Sequence, residues 1–309
     1  MNLVFLGTPA FATPTLERIV EAGHKVVAVY TQPDRPKGRG RKPAIPAVKE
    51  AALRLGLDVR QPERIRRPEV VAELAALAPE AMVVVGYGQI IPQAIIDIPR
   101  LGVINVHASL LPKYRGAAPI QWAIARGERI TGVTTMRIDA GLDTGDMLLK
   151  WETEIGPEET APELSARLAV AGADLLAETL ARLEAGTLEP IPQNDAEATY
   201  APMLKKEDGV IDWSMPAVEI LNRVRGFLPW PGTYTTFRGR TFHVCKARNA
   251  DPGPPPGSME RRGRSLIVGC GGRTAIELLE VQLEGRKRMS AEAFLNGISL
   301  NAAEQLGAR

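Results

Sequence analysis

The sequence predicts an α/β protein of two domains, an N-terminal domain with a mostly parallel sheet and a smaller β-rich domain. Apolar strand-like runs alternate with helix-like segments through the first half of the chain, as in sheets that helices cover on both faces. After one long amphipathic helix, the pattern changes to short alternating segments between Gly- and Pro-rich turns. At 309 residues the chain is also longer than one core usually fills, which favours two domains.

Local signals assign the elements of the first half in order. Residues 3–6 form a buried-strand run, and the helix after it has Thr13 as its predicted N-cap, Pro14 in its first turn and Gly23 past its end. The same kinds of signal predict strands at 25–31, 81–85, 102–106 and 132–138 and helices at 47–55, 69–77 and 117–126.

The clearest helix is predicted at 158–185, with Thr160 and Glu163 as a capping box and Gly186 as its stop. Residues 187–205 have no apolar period and are predicted to be a linker, which bounds the two domains at 1–186 and 206–309. Within the second domain we expect one helix and several strands, at 217–225 and at 233–237, 241–246, 265–268 and 275–283.

Composition excludes several classes of protein. The formal net charge is only +2, so nucleic-acid binding would depend on local basic patches. Two cysteines and three histidines show no metal-ligand spacing, and no metal is expected. No apolar run approaches the length of a membrane-spanning helix, and the N-terminus does not have the pattern of a signal peptide. We therefore expect a cytoplasmic protein without a membrane partner, for which nothing demands more than a monomer.

Asn105 and His107 carry the strongest chemical signal. They lie at the end of the predicted strand 102–106, and residues two apart on a strand project from the same face. An amide and a protonated imidazole can together stabilise the oxyanion that forms when a carbonyl becomes tetrahedral. Because no Ser or Cys nucleophile motif is present, we expect direct transfer of an acyl group to an external nucleophile.

Asp143 lies in a second motif, the glycine-rich segment 141–146. A carboxylate near His107 could hold the imidazole charged and accept a proton from an attacking amine. An Asp between glycines is also a common turn former. The spacing does not show whether Asp143 meets His107, so both interpretations stay open.

Together these motifs resemble the folate-dependent formyltransferase family, whose members transfer a formyl group from 10-formyltetrahydrofolate to an amine. The resemblance rests on Asn105, His107 and the segments 109–112, 114–116 and 141–145. It implies a Rossmann-like catalytic domain in which Asn105 and His107 stabilise the formyl oxygen and Asp143 manages the proton. It also implies folate contacts from the turn 109–112 and the loop 86–92, made by Ser109, Leu110, Leu111, Pro112, Gly86, Tyr87, Gln89 and Ile90.

A basic loop at 31–43 follows the second predicted strand and contains five cations among Gly and Pro. Such a loop is either solvated or able to contact phosphate on RNA. It resembles the insertion that family members acting on tRNA place against the acceptor stem, which implies initiator methionyl-tRNA as a partner. Arg39 is then the main expected determinant, with these cations beside it: Arg35, Arg41 and Lys42.

The segment 222–234 resembles the C-terminal domain of the same tRNA-dependent members, an OB-like β-barrel that grips tRNA. That resemblance implies RNA contacts for Arg223 and Arg225. Each basic cluster taken alone is equally a solvated turn.

Two alternatives remain from the residues. One is a folate-dependent formyltransferase that acts on another amine, such as a nucleotide sugar or a ribonucleotide. The other is a non-catalytic RNA-binding protein; no DNA partner is expected. The basic loop and the β-rich C-terminal half disfavour the first, and a pure RNA binder has no use for Asn105 and His107 on one strand face.

Overall fold

The structure is a computed structural model that describes residues 1–37, 42–301 and 304–307. It divides into two compact units. The first comprises Met1–Pro119, Ile130–Glu154 and Ser165–Ala201, and the second comprises Ile120–Arg129, Ile155–Leu164 and Pro202–Arg309.

The N-terminal two thirds of the chain alternate strands with helices, as the apolar pattern predicts. The strands are β1 (Asn2–Gly7), β2 (Lys25–Tyr30), β3 (Arg35–Lys37), β4 (Lys42–Ala44), β5 (Val59–Arg60), β6 (Ala81–Val85), β7 (Val103–His107), β8 (Ile130–Arg137) and β9 (Met147–Glu154). The helices are α1 (Thr13–Glu21), α2 (Ala47–Arg54), α3 (Pro68–Ala76), α4 (Gln93–Ile96), α5 (Pro119–Ala125) and α6 (Ala161–Glu184).

One seven-stranded sheet organises the first unit, in the order β5-β2-β1-β6-β7-β8-β9. The strands from β5 to β7 pair in parallel, whereas β8 and β9 add to the β7 edge in antiparallel fashion. Apolar side chains of β1, β2 and β6, including Leu6, Tyr30 and Met82, are buried on one face beneath α3 and α4 residues. Fully burying each aliphatic side chain contributes about 1.5–3 kcal/mol, which explains why these strands are almost continuously apolar.

From Pro202 onward the second unit is an antiparallel sheet with two helices, beside which the unit also includes most of α5. Its elements are α7 (Ala217–Gly226), β10 (Thr233–Phe237), β11 (Arg240–Ala250), β12 (Met259–Arg262), β13 (Ser265–Gly269), β14 (Ala275–Leu283), β15 (Met289–Ser290) and α8 (Ala291–Asn296). The strand order is β10-β11-β14-β13-β12, with β15 beside β14, and no pairing of β10 with β12 is found within the described residues. Aromatic contacts fill its core: Phe237, Phe242 and Phe294 lie within 5.9 Å of one another by ring centroid.

The predicted fold class is confirmed: a Rossmann-like α/β domain with a mainly parallel sheet precedes an antiparallel, OB-like β domain. The predicted linker, 187–205, is divided between the units, because residues up to Ala201 belong to the first and those from Pro202 to the second. The domain bounds 1–186 and 206–309 therefore stay a prediction. Among the described residues, no helix combines the length and the apolar character needed to cross a bilayer.

Two capping predictions need correction. Thr13 is not the N-cap of α1, since the helix already includes it and Ala12 occupies the cap. The reason is a 3-10 turn at Ala10–Ala12, which winds the chain before α1 begins. At α6 only half of the capping box forms: Glu163 accepts hydrogen bonds from both the backbone N–H and the hydroxyl of Thr160.

Candidate active site

Asn105 and His107 end β7, which pairs with β6 on one side and with β8 on the other. As alternate residues of a strand they project from the same face. Asn105 is half-buried, and only 6% of His107 is exposed. The predicted pair therefore lies at the carboxyl edge of the parallel strands, where ligands bind in open α/β sheets.

Two neighbours orient the His107 ring. Its Nε2 lies 2.9 Å from the carbonyl oxygen of Tyr114. Because a carbonyl only accepts hydrogen bonds, Nε2 carries a hydrogen and donates it. The other ring nitrogen, Nδ1, lies 3.6 Å from Oδ2 of Asp143, which is beyond hydrogen-bond length but within ion-pair range. An imidazole that holds both protons thus keeps Nδ1–H available to a further acceptor, with the Asp143 carboxylate within ion-pair range.

Asp143 meets His107 because of a left-handed turn. Asp143 has a φ of 53°, and its Oδ2 accepts a 2.8 Å hydrogen bond from the backbone N–H of Gly116. Asp139 closes the start of the same loop by accepting from the Thr144 hydroxyl and the Gly141 N–H. Asp143 is therefore both a turn residue and a neighbour of the imidazole, and the two interpretations of the sequence are compatible.

The turn 109–112 lies directly after β7 and is tightly held. The Ser109 hydroxyl donates to the Lys113 carbonyl at 2.6 Å, and Ser109 is 1% exposed. Thr134 on β8 bridges the turn, because its hydroxyl donates to the Ser109 carbonyl and accepts from the Leu111 N–H. Lys150 Nζ donates to the Leu111 carbonyl at 2.6 Å.

The four predicted folate residues of this turn differ in exposure. Leu111 packs in the core with Met136 and Met147, and Pro112 is buried after a cis peptide bond. Leu110 is half-buried. Leu110 therefore has the most exposed side chain of the four, and the others define the shape of the turn.

The loop after β6 contains the remaining predicted folate residues. Gly86 and Gly88 have φ values of 57° and 86°, which favour glycine. Tyr87 is buried, which raises the pKa of its phenol, and its carbonyl accepts from the Thr8 hydroxyl and the Gln32 amide. Gln89 accepts from the Ile65 N–H. By contrast, Ile90 is 90% exposed, as expected of an apolar side chain that a ligand could cover.

A cavity of about 370 Å³ opens beside this loop. Its lining combines three arginines with the loop and with polar groups that follow β2: Gln32, Arg35, Glu63, Arg64, Ile65, Arg66, Gly88, Gln89 and Ile90. Among the described residues none of these three arginines has an ion-pair partner. The cavity therefore offers an apolar contact at Ile90 and an excess of positive charge.

The candidate RNA-binding residues are placed in different surroundings. Arg35 is exposed at the start of β3, and Lys42 begins β4. Arg39 and Arg41 lie outside the described residues. Of the pair on α7, Arg223 lies near the Phe227 ring, with its guanidinium carbon 6.0 Å from the centroid.

Arg225 faces the interior of the second unit. Its Nη1 donates to the carbonyl oxygens of Gly156 and Glu159, each at 3.0 Å. Burial lowers the pKa of this guanidinium, and Glu159 opposes that effect. Its Nε and Nη2 donate to the side-chain oxygen of Asn222, so the hydrogen bonds of Arg225 are with the protein itself.

Sequence reasoning did not identify Arg115 or Gln193, which adjoin the site. Arg115 belongs to the quoted 114–116 motif and is 2% exposed, with Asp195 2.8 Å from its guanidinium. Gln193 donates to the carbonyl oxygens of Asp143 and Gly145. The signal for Arg115 was its place in the motif 114–116, whereas Gln193 lies in the predicted linker 187–205, which offers no such signal. Nowhere in the described part of the chain do three or more His, Cys, Asp or Glu side chains gather as they would around a metal ion.

Comparison with known sequences identifies relatives along the whole chain. The formyl transferase family matches residues 1–180, and the formyl transferase C-terminal domain matches residues 203–299. A methionyl-tRNA formyltransferase of Solibacter usitatus is 65% identical over 309 residues, and one of Koribacter versatilis is 62% identical over 308 residues. Each alignment covers 99% of this chain and 99% of the relative.

Two solved structures share the fold. An N-formyltransferase from Helicobacter canadensis, in complex with folinic acid and dTDP-3-aminofucose, has a TM-score of 0.66 at 19% identity and covers 89% of this chain and 98% of its own. HypX from Aquifex aeolicus, in complex with tetrahydrofolic acid, has a TM-score of 0.64 at 18% identity, covering 95% of this chain and 46% of its own. At such identities the likeness establishes the fold alone.

Proposed function

The chain belongs to the formyl transferase family, and on that basis we propose that it transfers the formyl group of 10-formyltetrahydrofolate to the α-amino group of initiator methionyl-tRNA for translation initiation. The relatives named methionyl-tRNA formyltransferase, at 65% and 62% identity over the full length, support this acceptor. The observation that best supports this reaction is the position of His107, whose Nδ1 lies 3.6 Å from Oδ2 of Asp143 and whose strand also carries Asn105.

In the proposed mechanism the free α-amine of the esterified methionine attacks the formyl carbon. The side chains of Asn105 and His107 donate to the formyl oxygen as it becomes an oxyanion, and Nδ1 is the ring nitrogen not already bound to Tyr114. Asp143, directly or through water, accepts the proton that the amine loses. The bond from the formyl carbon to the folate nitrogen then breaks, and that nitrogen takes up a proton as tetrahydrofolate departs.

The proposed folate site consists of the turn 109–112 and the loop 86–90, continued by the cavity beside Gly88 and Ile90. The chemistry of this lining fits the ligand. Exposed Ile90 suits an aromatic ring system, and the unpaired arginines suit the carboxylates of the glutamate tail. The structural neighbours from Helicobacter canadensis and Aquifex aeolicus, which hold folinic acid and tetrahydrofolic acid, support a folate ligand for the fold.

We expect the double variant Arg64→Ala/Arg66→Ala to raise KM for 10-formyltetrahydrofolate by about threefold to tenfold, with kcat nearly unchanged. Contacts remote from the reacting carbon stabilise the ground state and the transition state equally, so their loss appears in KM. Steady-state kinetics with varied folate measures this. Arg54→Ala is the control for loss of an arginine, because Arg54 pairs with Glu17 and neither residue lines the cavity. A fall in kcat at constant KM would contradict this assignment of the cavity.

We further propose that the tRNA is bound by the basic loop, through Arg35, Arg39, Arg41 and Lys42, and by the domain at 206–309. In that domain Arg223 is the proposed phosphate contact. Arg225 is proposed to serve tRNA binding by stabilising its own unit, since it donates to the carbonyl oxygens of Gly156 and Glu159, which belong to the same unit. We propose that residues 1–186 are the catalytic domain. We propose that the enzyme works as a cytoplasmic monomer, with neither DNA nor membrane as a partner.

The deciding experiment measures formyl transfer from 10-formyltetrahydrofolate to initiator methionyl-tRNA. Parallel reactions contain elongator methionyl-tRNA, free methionine or no acceptor. The proposal expects strong activity with the initiator species alone. Folate turnover without an acceptor, or formylation of free methionine at a similar rate, would overturn the assigned acceptor. Binding of the tRNA without any transfer would favour the RNA-binding alternative.

A further inference from the structure

Two residues of the segment 114–116 orient both members of the His107–Asp143 pair. The Tyr114 carbonyl accepts from His107 Nε2 at 2.9 Å, and the Gly116 N–H donates to Asp143 Oδ2 at 2.8 Å. Between them lies Arg115, which is 2% exposed. The relative position of the two catalytic side chains therefore depends on how the segment 114–116 is held.

The segment 114–116 is held by a stretch of the first unit, residues 191–201, which we call the strap. Thr199 of the strap accepts from the Tyr114 N–H through its hydroxyl at 2.9 Å and from the Arg115 N–H through its carbonyl at 2.8 Å. The Ala201 N–H donates to the Arg115 carbonyl at 2.8 Å. The approach is close enough that a Cβ added at Gly116 would lie 2.7 Å from the Ala201 oxygen.

Gln193 joins the strap to the loop that carries Asp143. Its Nε2 donates to the Asp143 carbonyl at 2.8 Å and to the Gly145 carbonyl at 2.7 Å. Its Oε1 accepts from Arg115 Nε at 3.0 Å. Both N–H groups and the oxygen of the Gln193 amide are therefore hydrogen-bonded. The guanidinium of Arg115, which is buried and paired with Asp195, sets the orientation of this amide.

We propose that Gln193, oriented by Arg115, is a positioning residue that holds Asp143 beside His107, where its carboxylate accepts the proton of the attacking amine. This inference rests on the proposed function, because it assigns Gln193 a part in the same formyl transfer. Within the described residues the hydrogen bonds of Gln193 to this loop go to the backbone carbonyls of Asp143 and Gly145, so it acts through Asp143. The left-handed backbone of Asp143 lies between Gly141 and Gly145, and such a loop depends on added contacts to keep one conformation.

Two substitutions at Gln193 test whether kcat depends on the N–H donors of its amide or on its oxygen acceptor. Gln193→Met keeps the length of the side chain but removes every hydrogen bond. Gln193→Glu retains an acceptor for Arg115 and directs a carboxylate oxygen toward the carbonyl oxygens of Asp143 and Gly145. We expect each variant to lower kcat by about tenfold to hundredfold with both KM values unchanged, because displacement of a reacting group by about 1 Å has effects of that order. An active Gln193→Glu enzyme would overturn the role assigned to amide donation.

A double-mutant cycle with Asp143→Asn separates positioning from general structure. If Gln193 acts through Asp143, Gln193→Met should lower kcat much less in the Asp143→Asn background than in the wild type. Equal losses in both backgrounds, or a loss that follows a lowered Tm, would overturn the proposal. Gln282→Met is the matched control, since Gln282 also donates to a backbone carbonyl, at Arg286 in the second unit. A wild-type enzyme without formyl transfer would instead refute the proposed function itself.

Discussion

The His107→Ala variant is expected to form formyl-methionyl-tRNA with a kcat about 10²- to 10³-fold below that of the wild type, a loss of about 2.7–4 kcal/mol of transition-state stabilisation. The imidazole is buried and oriented by the Tyr114 carbonyl before substrate arrives. Its removal therefore deletes a donor that needs no reorganisation when the formyl oxygen becomes negative. Binding of folate and tRNA involves other residues, so both KM values should change little.

Single-turnover kinetics with saturating substrates measures the chemical step directly. Asn105→Asp provides a second variant of nearly unchanged shape, in which a carboxylate replaces the amide donor and repels the developing charge. We expect its rate to fall by at least as much as that of Asn105→Ala. His243→Ala is the control for loss of an imidazole, because His243 lies in β11 of the second unit against Tyr234. A His107→Ala enzyme within threefold of the wild type would remove His107 from the mechanism.

The parts of the site that the sequence could predict are those that local geometry determines. Asn105 and His107 share a strand face because of the two-residue period, and the apolar run before them predicts the strand end. The apolar runs likewise predicted β1, β2 and β6, whose side chains are buried on both faces. Each of these inferences needs only the chain within a few residues of the position in question.

The parts that escaped prediction depend on contacts distant in the chain. Asp143 reaches His107 only because its backbone is left-handed and because Gly116 donates to its carboxylate. The strap contains few buried apolar residues and bonds to the segment 114–116 through its backbone, so its sequence is that of a linker. The edge strand β9 was missed for a related reason: much of it is exposed and charged. Residue propensity and hydrophobic periodicity do not predict hydrogen bonds between segments that are distant in the sequence.

Replacing Asp143 with asparagine is expected to have the other large effect, a fall in kcat of about 10²- to 10⁴-fold, the range typical of a lost general base. Asparagine has nearly the same shape, and its amide oxygen can still accept from the Gly116 N–H, so the loop should keep its conformation. What it cannot do is take a proton from the attacking amine. The variant therefore isolates proton acceptance from the structural role of this turn.

Substitutions at two other aspartates of the same loop are the controls for Asp143→Asn. Asp146→Asn should leave kcat within about twofold of the wild type, because no hydrogen bond or ion pair of the Asp146 side chain is found among the described residues, and its backbone carbonyl still accepts from the Arg137 N–H in the variant. Asp139→Asn should be intermediate, since Asp139 holds Thr144 and Gly141 and so shapes the loop. If Asp143→Asn kept the wild-type rate while Asp139→Asn lost it, Asp143 would be only a turn former. The amine proton would then have to leave by another route, with water as its acceptor.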